Sequence, residues 1–153
     1  MSHDARLAQL ALTLPPAPKP VAVYRPVVVV GKIAYLSGHG PVRDDGTLIT
    51  GCVGADLDGA QGYAAARQVG LAMLSTLRAQ FGGLDAIKRV VKILGMVNSA
   101  PGFYDQPKVI NGCSELFVEV FGEEAGIGAR SAVGTGPLPG NIAVEIEGIF
   151  ELV

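Results

Sequence analysis

The order of strand-like and helix-like segments constrains this fold more than any other feature of the sequence. Apolar residues recur at helical spacing from Asp58, a residue type suited to the helix N-cap, until Gly82 ends the pattern. A second helix is predicted over 107–121, with proline at its start and Gly122 after its end. Short apolar strands are predicted around them, over 27–30, 33–37, 48–50, 90–97, 129–135 and 142–152. This order predicts an α+β fold with the helices on one face of a sheet.

The N-terminal segment is predicted to be a short helix followed by a connector. Ser2 can cap an amphipathic helix that carries Leu7 and Leu14, and the Pro15-Pro16 pair must end it. At 153 residues, the chain has the length of one typical domain. A single hydrophobic core is therefore expected.

The charge content of the chain predicts self-association and argues against nucleic acid. Hydrophobic residues make up 49% of the sequence and charged residues only 17%, against about 25% charged in an ordinary domain. Because oligomer interfaces are depleted in charge, part of the surface is expected to be covered by other copies of the chain. The formal net charge of −2 lacks the basic patch that phosphate backbones require. No nucleic-acid partner is expected.

Cysteine spacing and hydropathy predict a cytoplasmic protein. Cys52 and Cys113 stand far apart and form no metal-binding motif, which favours a reducing compartment. The apolar stretch from Leu7 to Leu14 is interrupted by polar residues and does not match a signal peptide. No apolar run approaches the ~18–20 residues of a membrane span. No cofactor or metal signature is found, and Gly134-Thr135-Gly136 lacks the spacing of a phosphate-binding loop.

The last two predicted strands carry the charges with the clearest functional interpretation. Because side chains alternate between the faces of a strand, Glu145 and Glu147 share the face that points away from the helices. If Val133 in the preceding strand faces the helices, Arg130 also points away from them. A hairpin between these strands would set Arg130 opposite the two glutamates. A one-residue slip in register would reverse every side chain.

The pattern alone allows two interpretations of this cluster. One is a structural ion pair that fixes the register of the hairpin. The other is an anion site, because the planar guanidinium of Arg130 can hold a small carboxylate through paired hydrogen bonds. Each hydrogen bond to a charged group contributes about 1.5–3 kcal/mol. His39, between two glycines, is a further candidate, either as a proton-transfer group or as a solvated loop residue.

The same C-terminal residues carry a resemblance to a known family. Ala129-Arg130-Ser131, then Leu138-Pro139, then Val144-Glu145-Ile146-Glu147 resemble the signature of the reactive intermediate deaminase family, Rid, formerly YjgF. The similarity continues upstream at Tyr24, Leu36-Ser37-Gly38 and Val109-Ile110-Asn111. It therefore extends from about residue 20 to the end of the chain.

The resemblance implies both an architecture and an activity. The architecture is a chorismate-mutase-like α+β fold with a mixed sheet, assembled as a homotrimer with ligand sites between subunits. Residues 19–153 would form the single domain, and residues 1–18 an N-terminal extension. The activity is hydrolysis of 2-imino acids and their enamine tautomers to 2-oxo acids and ammonia, with no cofactor or metal.

The resemblance also implies roles for individual residues. Arg130 would hold the substrate carboxylate and Glu145 would hold or activate the attacking water. The remaining pocket residues would be substrate-binding, and they are Tyr24, Ser37, Gly38 and Asn111, with His39 added from the neighbouring loop.

Two positions depart from the pattern of the deaminating members. Ala132 stands where many of them have cysteine, and Val23 where they have proline. A binding or sensing module for a small carboxylic acid is therefore the main alternative function. An endoribonuclease, a label often attached to this family, is a further alternative that the net charge disfavours.

Overall fold

The computed structural model describes residues 1–153 and is built on one five-stranded mixed sheet. Its strands are β1 (Val27–Val30), β2 (Ile33–His39), β3 (Ile87–Asn98), β4 (Ala129–Thr135) and β5 (Val144–Leu152). Across the sheet the order is β1-β2-β5-β3-β4. The β3–β4 pair is parallel, and the other pairs are antiparallel. The predicted α+β fold is confirmed.

The helices are α1 (His3–Gln9), α2 (Gly59–Phe81), α3 (Gln106–Phe121) and the short α4 (Glu123–Gly126). Asp58 caps α2 in a reciprocal capping box with Gln61, and Gly82 ends it in the left-handed conformation at φ 79°. Both long helices pack on the same face of the sheet. The core between the layers is fully buried, and its largest side chains include Met73, Leu77, Phe117, Ile146 and Phe150.

The predicted hairpin between the last two strands is wrong. Because α3 crosses over between β3 and β4, these two strands run parallel. The loop over 136–143 then carries the chain back across the sheet, and β5 pairs with the other side of β3. Ile93 of β3 therefore stands between Arg130 and Gly148.

The predicted N-terminal helix forms and packs against the rest of the chain. Ser2 caps it as expected, but it ends at Gln9, and Ala11 lies at a positive φ of 51°. Leu7 is buried in the common core, and the Asp4 carboxylate accepts a hydrogen bond from the Leu84 amide at 2.9 Å. Residues at the start of the chain thus belong to the same packed unit.

The predicted strand over 48–50 is reduced to isolated bridges, from Leu48 to Val42 and from Thr50 to Ile142. No helix combines the length and the apolar character needed to cross a membrane.

Candidate active site

Arg130 lies on the edge strand β4 and is held by three groups of α3. Its Nη1 donates to Asn111 Oδ1 at 2.7 Å and to Ser114 Oγ at 3.2 Å, and its Nη2 donates to the Pro107 carbonyl at 3.4 Å. These three residues follow one another at i, i+4 and i+7, so they share one face of the helix. We call Arg130, Asn111 and Ser114 the arginine half-site.

The direction of the Arg130 side chain is opposite to the prediction. Arg130 is level with the buried Ile93 in the parallel β3–β4 pair, so both side chains point toward the helices. Val133, which was expected on that side, is 43% exposed on the opposite face. Sequence reasoning predicted Asn111 but missed Ser114, although the i, i+3 spacing within the predicted helix would have indicated it.

The arginine half-site carries a positive charge that no residue of the chain neutralises. None of the ion pairs in the protein includes Arg130. The structural ion pair considered from the sequence is therefore absent. A cavity of about 190 Å³ lies beside the guanidinium, with Ile93, Phe117 and Ile127 among its apolar lining residues. A fork of donors next to an apolar cavity suits a small organic carboxylate.

Glu145 lies on the opposite face of the sheet, in a separate cluster. It lines a cavity of about 480 Å³ together with the predicted residues Tyr24, Ser37 and Gly38. Glu147, two residues further along β5, lines the same cavity. We call Tyr24, Ser37, Gly38, Glu145 and Glu147 the glutamate half-site. The prediction that Glu145 and Glu147 share the face away from the helices is correct.

A β-bulge in β2 builds the glutamate half-site. Leu36 pairs with Gly148 and His39 pairs with Ile146, so Ser37 and Gly38 together stand opposite Glu147 alone. The Glu145 carboxylate packs directly over Gly38, where a side-chain methyl group would collide with it. A side chain at position 38 would therefore displace the Glu145 carboxylate from its place over the bulge.

The Glu145 carboxyl is the most clearly perturbed acid near either cavity. Burial raises its pKa above the ordinary value, and the negative charge of Glu147 raises it further. Neither carboxylate forms an ion pair. A raised pKa makes the ionised carboxylate a stronger base, which suits a general base. Nowhere in the protein do three or more His, Cys, Asp or Glu side chains group so that they could hold a metal ion.

His39 adjoins the glutamate half-site, since it lines a cavity of about 110 Å³ with Tyr24 and Gly38, but its ring is turned into the core. Its side chain is 4% exposed and lies between the sheet and α2. Nδ1 contacts the Ser37 carbonyl at 2.6 Å, and Nε2 contacts Thr76 Oγ1 at 2.8 Å. Strand alternation would have put His39 on the same face as Ser37, but the extra residue of the bulge turns it inward. Its ring therefore has no nitrogen free for a ligand, which corrects the expected substrate-binding role.

The two half-sites cannot meet within one copy of the chain. Arg130 is level with Gly148, two strands and about 10 Å away across the sheet. Glu145 lies three residues before Gly148 in β5 and faces the other side of the sheet. Arg130 stands on an edge strand, where a neighbouring molecule can approach it.

Comparisons with known proteins place the chain among proteins of one family and one fold. The family model described as "YjgF/chorismate mutase-like, putative endoribonuclease" matches residues 4–146. "Protein TCP17" of Trypanosoma cruzi is 44% identical over 148 residues, which cover 97% of this chain and 92% of that protein. The solved structure of a putative endoribonuclease from Shewanella oneidensis has a TM-score of 0.94 and 31% identity, covering 99% of this chain and all of that one.

A structure named RidA, from an Antarctic Psychrobacter, is more distant. Its TM-score is 0.63 and its identity 28%, with 89% of this chain and 94% of that one covered. The Shewanella protein thus shares nearly the whole chain, including the N-terminal segment, with a closer backbone match than RidA has.

Proposed function

Since the chain belongs to the YjgF/chorismate mutase-like family, we propose that it hydrolyses 2-imino acids and their enamine tautomers to 2-oxo acids and ammonia. Arg130 holds the substrate carboxylate and Glu145 positions and activates the attacking water. Asn111 aims the guanidinium, while Tyr24, Ser37 and Gly38 form the wall beside Glu145.

The observation that carries this proposal is the opposite charge of the two half-sites. The arginine half-site offers an unpaired guanidinium, and the glutamate half-site offers two carboxylates without a cation. A protonated 2-imino acid carries a carboxylate on one carbon and a positive nitrogen on the next. Its two ends therefore match the two half-sites in charge.

A second copy of the chain is needed to complete this site. The half-sites lie on opposite faces of one sheet, so the arginine half-site of one copy would meet the glutamate half-site of the next. The uncovered face also exposes apolar side chains, including Val28 and Tyr35, which line a cavity of about 390 Å³. We propose a homotrimer, in which this apolar face is covered and three such composite sites form.

The proposed reaction needs only orientation and one base. Water attacks the electrophilic imine carbon while Glu145 accepts one of its protons, which gives a carbinolamine. Glu145 transfers that proton to the nitrogen, which makes ammonia the leaving group. The Glu145 carboxylate then takes the hydroxyl proton, the carbonyl group forms, and the carbon–nitrogen bond breaks to release ammonia. Holding the acid and the water together supplies the proximity, and Glu145 supplies general base catalysis.

The test is the rate at which imine, generated in situ by an amino-acid oxidase, disappears in the presence of purified protein. We expect wild-type protein to accelerate hydrolysis of 2-iminopropanoate and Arg130→Ala to abolish that acceleration. Arg43→Ala is the matched control, because Arg43 hydrogen-bonds only within its own turn, to Thr47 and Leu48. Wild-type turnover in Arg130→Ala would contradict the proposal.

Binding of a small carboxylic acid without turnover is the second candidate function. Two observations favour such a binding function. Ala132 stands in place of the cysteine of many deaminating members, and hydrogen bonds hold the Arg130 guanidinium in position for an anion. Thermal stabilisation by 2-oxobutanoate, without any imine hydrolysis, would support this candidate over catalysis.

Nucleic acid is not the proposed substrate, although the matching family and the Shewanella protein carry an endoribonuclease name. The chain has a net charge of −2, and the two carboxylates of the glutamate half-site would repel phosphate groups. RNA cleavage by nuclease-free wild-type protein that Arg130→Ala removes would contradict this view.

A further inference from the structure

We propose that His39 is a positioning residue for Glu145. Thr76 holds the His39 ring, and the ring holds the Ser37-Gly38 bulge in the shape that places Gly38 beneath the Glu145 carboxylate. This inference rests on the proposed function for its catalytic consequence. The structural part of it does not depend on that function.

The hydrogen bonds fix which ring nitrogen must carry a hydrogen. The Ser37 carbonyl can only accept, so Nδ1 must carry the hydrogen at the 2.6 Å contact. In the neutral ring Nε2 is then an acceptor, and the Thr76 hydroxyl donates to it at 2.8 Å. Burial lowers the pKa of His39, which favours this neutral form. Both ring nitrogens are thus committed to structure.

The ring ties the bulge to the helix layer. A bulge disrupts the regular hydrogen bonds of its strand, and here His39 supplies a donor to the carbonyl of a bulged residue. Ser37 is further fixed on its other side, since its hydroxyl donates to the Arg25 carbonyl at 2.6 Å. Thr76 is 4% exposed and belongs to α2, so it anchors the ring to a rigid element.

Through the bulge, this chain of contacts reaches Glu145. The carboxylate packs against Gly38 so closely that a methyl group there would displace it. A shift of the bulge would therefore move the surface that buries Glu145 and would let water reach the carboxylate. His39 acts on Glu145 through the backbone and touches no proposed reacting atom.

The experiment compares variants that remove parts of this chain. His39→Leu removes both hydrogen bonds at similar volume, and Thr76→Val removes only the one to Nε2. Ser75→Ala is the matched control, because it removes a neighbouring buried hydroxyl of α2 that donates to the Pro15 carbonyl instead. Thr76→Ser keeps the hydroxyl and should behave as wild type.

The first measurement is a carbon-13 titration of the glutamate side-chain carboxyls, with Glu145→Gln used to assign the Glu145 signal. We expect the Glu145 titration to move toward its ordinary value in His39→Leu and Thr76→Val, and to stay in place in Ser75→Ala and Thr76→Ser. An unchanged Glu145 titration in folded Thr76→Val, or an equal shift in Ser75→Ala, would overturn the inference. Because Thr76→Val loses only a hydroxyl, it provides this test even where His39→Leu does not fold.

The second measurement is imine hydrolysis by the same proteins. We expect kcat to fall about tenfold in His39→Leu, since small misplacements of a catalytic group are costly, with melting temperature reported alongside. A fall in kcat as large in Ser75→Ala would reduce the effect to general destabilisation and overturn the inference. If wild-type protein hydrolyses no imine, the proposed function fails, whereas the carboxyl titration still decides the role of His39.

Discussion

The arginine half-site and the glutamate half-site are built in opposite ways. Arg130 donates three of its five N–H groups to neutral acceptors, the Asn111 and Ser114 oxygens and the Pro107 carbonyl, all on one helix face. Glu145 receives no hydrogen bond from any side chain and is pressed against Gly38 beside the like charge of Glu147. The positive charge of Arg130 is stabilised by its hydrogen-bond partners, whereas the negative charge of Glu145 is disfavoured by burial and by Glu147.

This difference predicts that the arginine half-site serves substrate binding and the glutamate half-site serves catalysis. A guanidinium that is already aimed loses little freedom when an anion binds, so it suits recognition. A carboxylate whose charged form is disfavoured has a raised pKa and accepts a proton more readily, so it suits catalysis. Changes in the first half-site should therefore alter affinity, and changes in the second should alter turnover.

The sharpest contrast is expected for Glu145→Gln. Loss of a general base should lower kcat by about 10²-fold or more, because such groups typically contribute 10²–10⁴-fold. Affinity for 2-oxobutanoate, measured by calorimetry, should stay close to that of wild type because Arg130 is intact. A matching loss of 2-oxobutanoate affinity would break the proposed division between binding and turnover.

Gly38→Ala tests whether close packing builds the glutamate half-site. The added methyl group would displace the Glu145 carboxylate, which is the flexible end of its side chain, so the variant should keep most of its stability and lose about tenfold or more in kcat. Gly59→Ala is the control, because a methyl group there meets nothing within 4 Å. Urea unfolding and imine hydrolysis measure the two effects, and wild-type kcat in Gly38→Ala would argue against the packing role.

Asn111→Ala tests the other half-site. Removing the acceptor that aims Arg130 costs a charge-assisted hydrogen bond, so KM and the dissociation constant for 2-oxobutanoate should rise about tenfold. The value of kcat should change little, since Glu145 and the bulge are untouched. A fall in kcat with unchanged KM would reverse the assignment of the two half-sites.

The smallest expected effect is on stability as a function of pH. Because the folded state raises the pKa of Glu145, its contribution to stability is most favourable at low pH and is lost as pH rises through that raised pKa. Glu145→Gln should therefore gain stability relative to wild type between about pH 4 and pH 8. Thermal unfolding across this range provides the measurement, and a relative loss of stability would contradict the raised pKa.

Much of the fold could be predicted because its signals are local. The Asp58 cap and the Gly82 stop depend on neighbouring residues, and both bounds of α2 agree with the prediction. Alternation within β5 likewise gave the correct face for Glu145 and Glu147. The family resemblance predicted the mixed sheet, which the structure confirms.

The errors arose where a non-local choice or an extra residue decided the outcome. Whether β4 pairs with β3 or β5 depends on the path of the loop over 136–143, and local patterns do not encode that path. The face of Arg130 is wrong for a separate reason, because the prediction placed the apolar Val133 toward the helices, whereas Val133 is 43% exposed on the other face. The predicted strand over 33–37 stops before the bulge, so the prediction treats His39 as a loop residue, whereas the bulged strand continues and turns its ring into the core.

The central claim is that each site combines the Arg130 of one copy with the Glu145 of another. The direct test mixes Arg130→Ala and Glu145→Gln subunits, each inactive alone, by co-expression with two different affinity tags. In a closed ring, random assembly of equal amounts should restore about a quarter of the wild-type activity, because that fraction of interfaces joins two intact half-sites. Recovery near that level is the predicted result, and mixed oligomers that stay inactive would contradict the composite site.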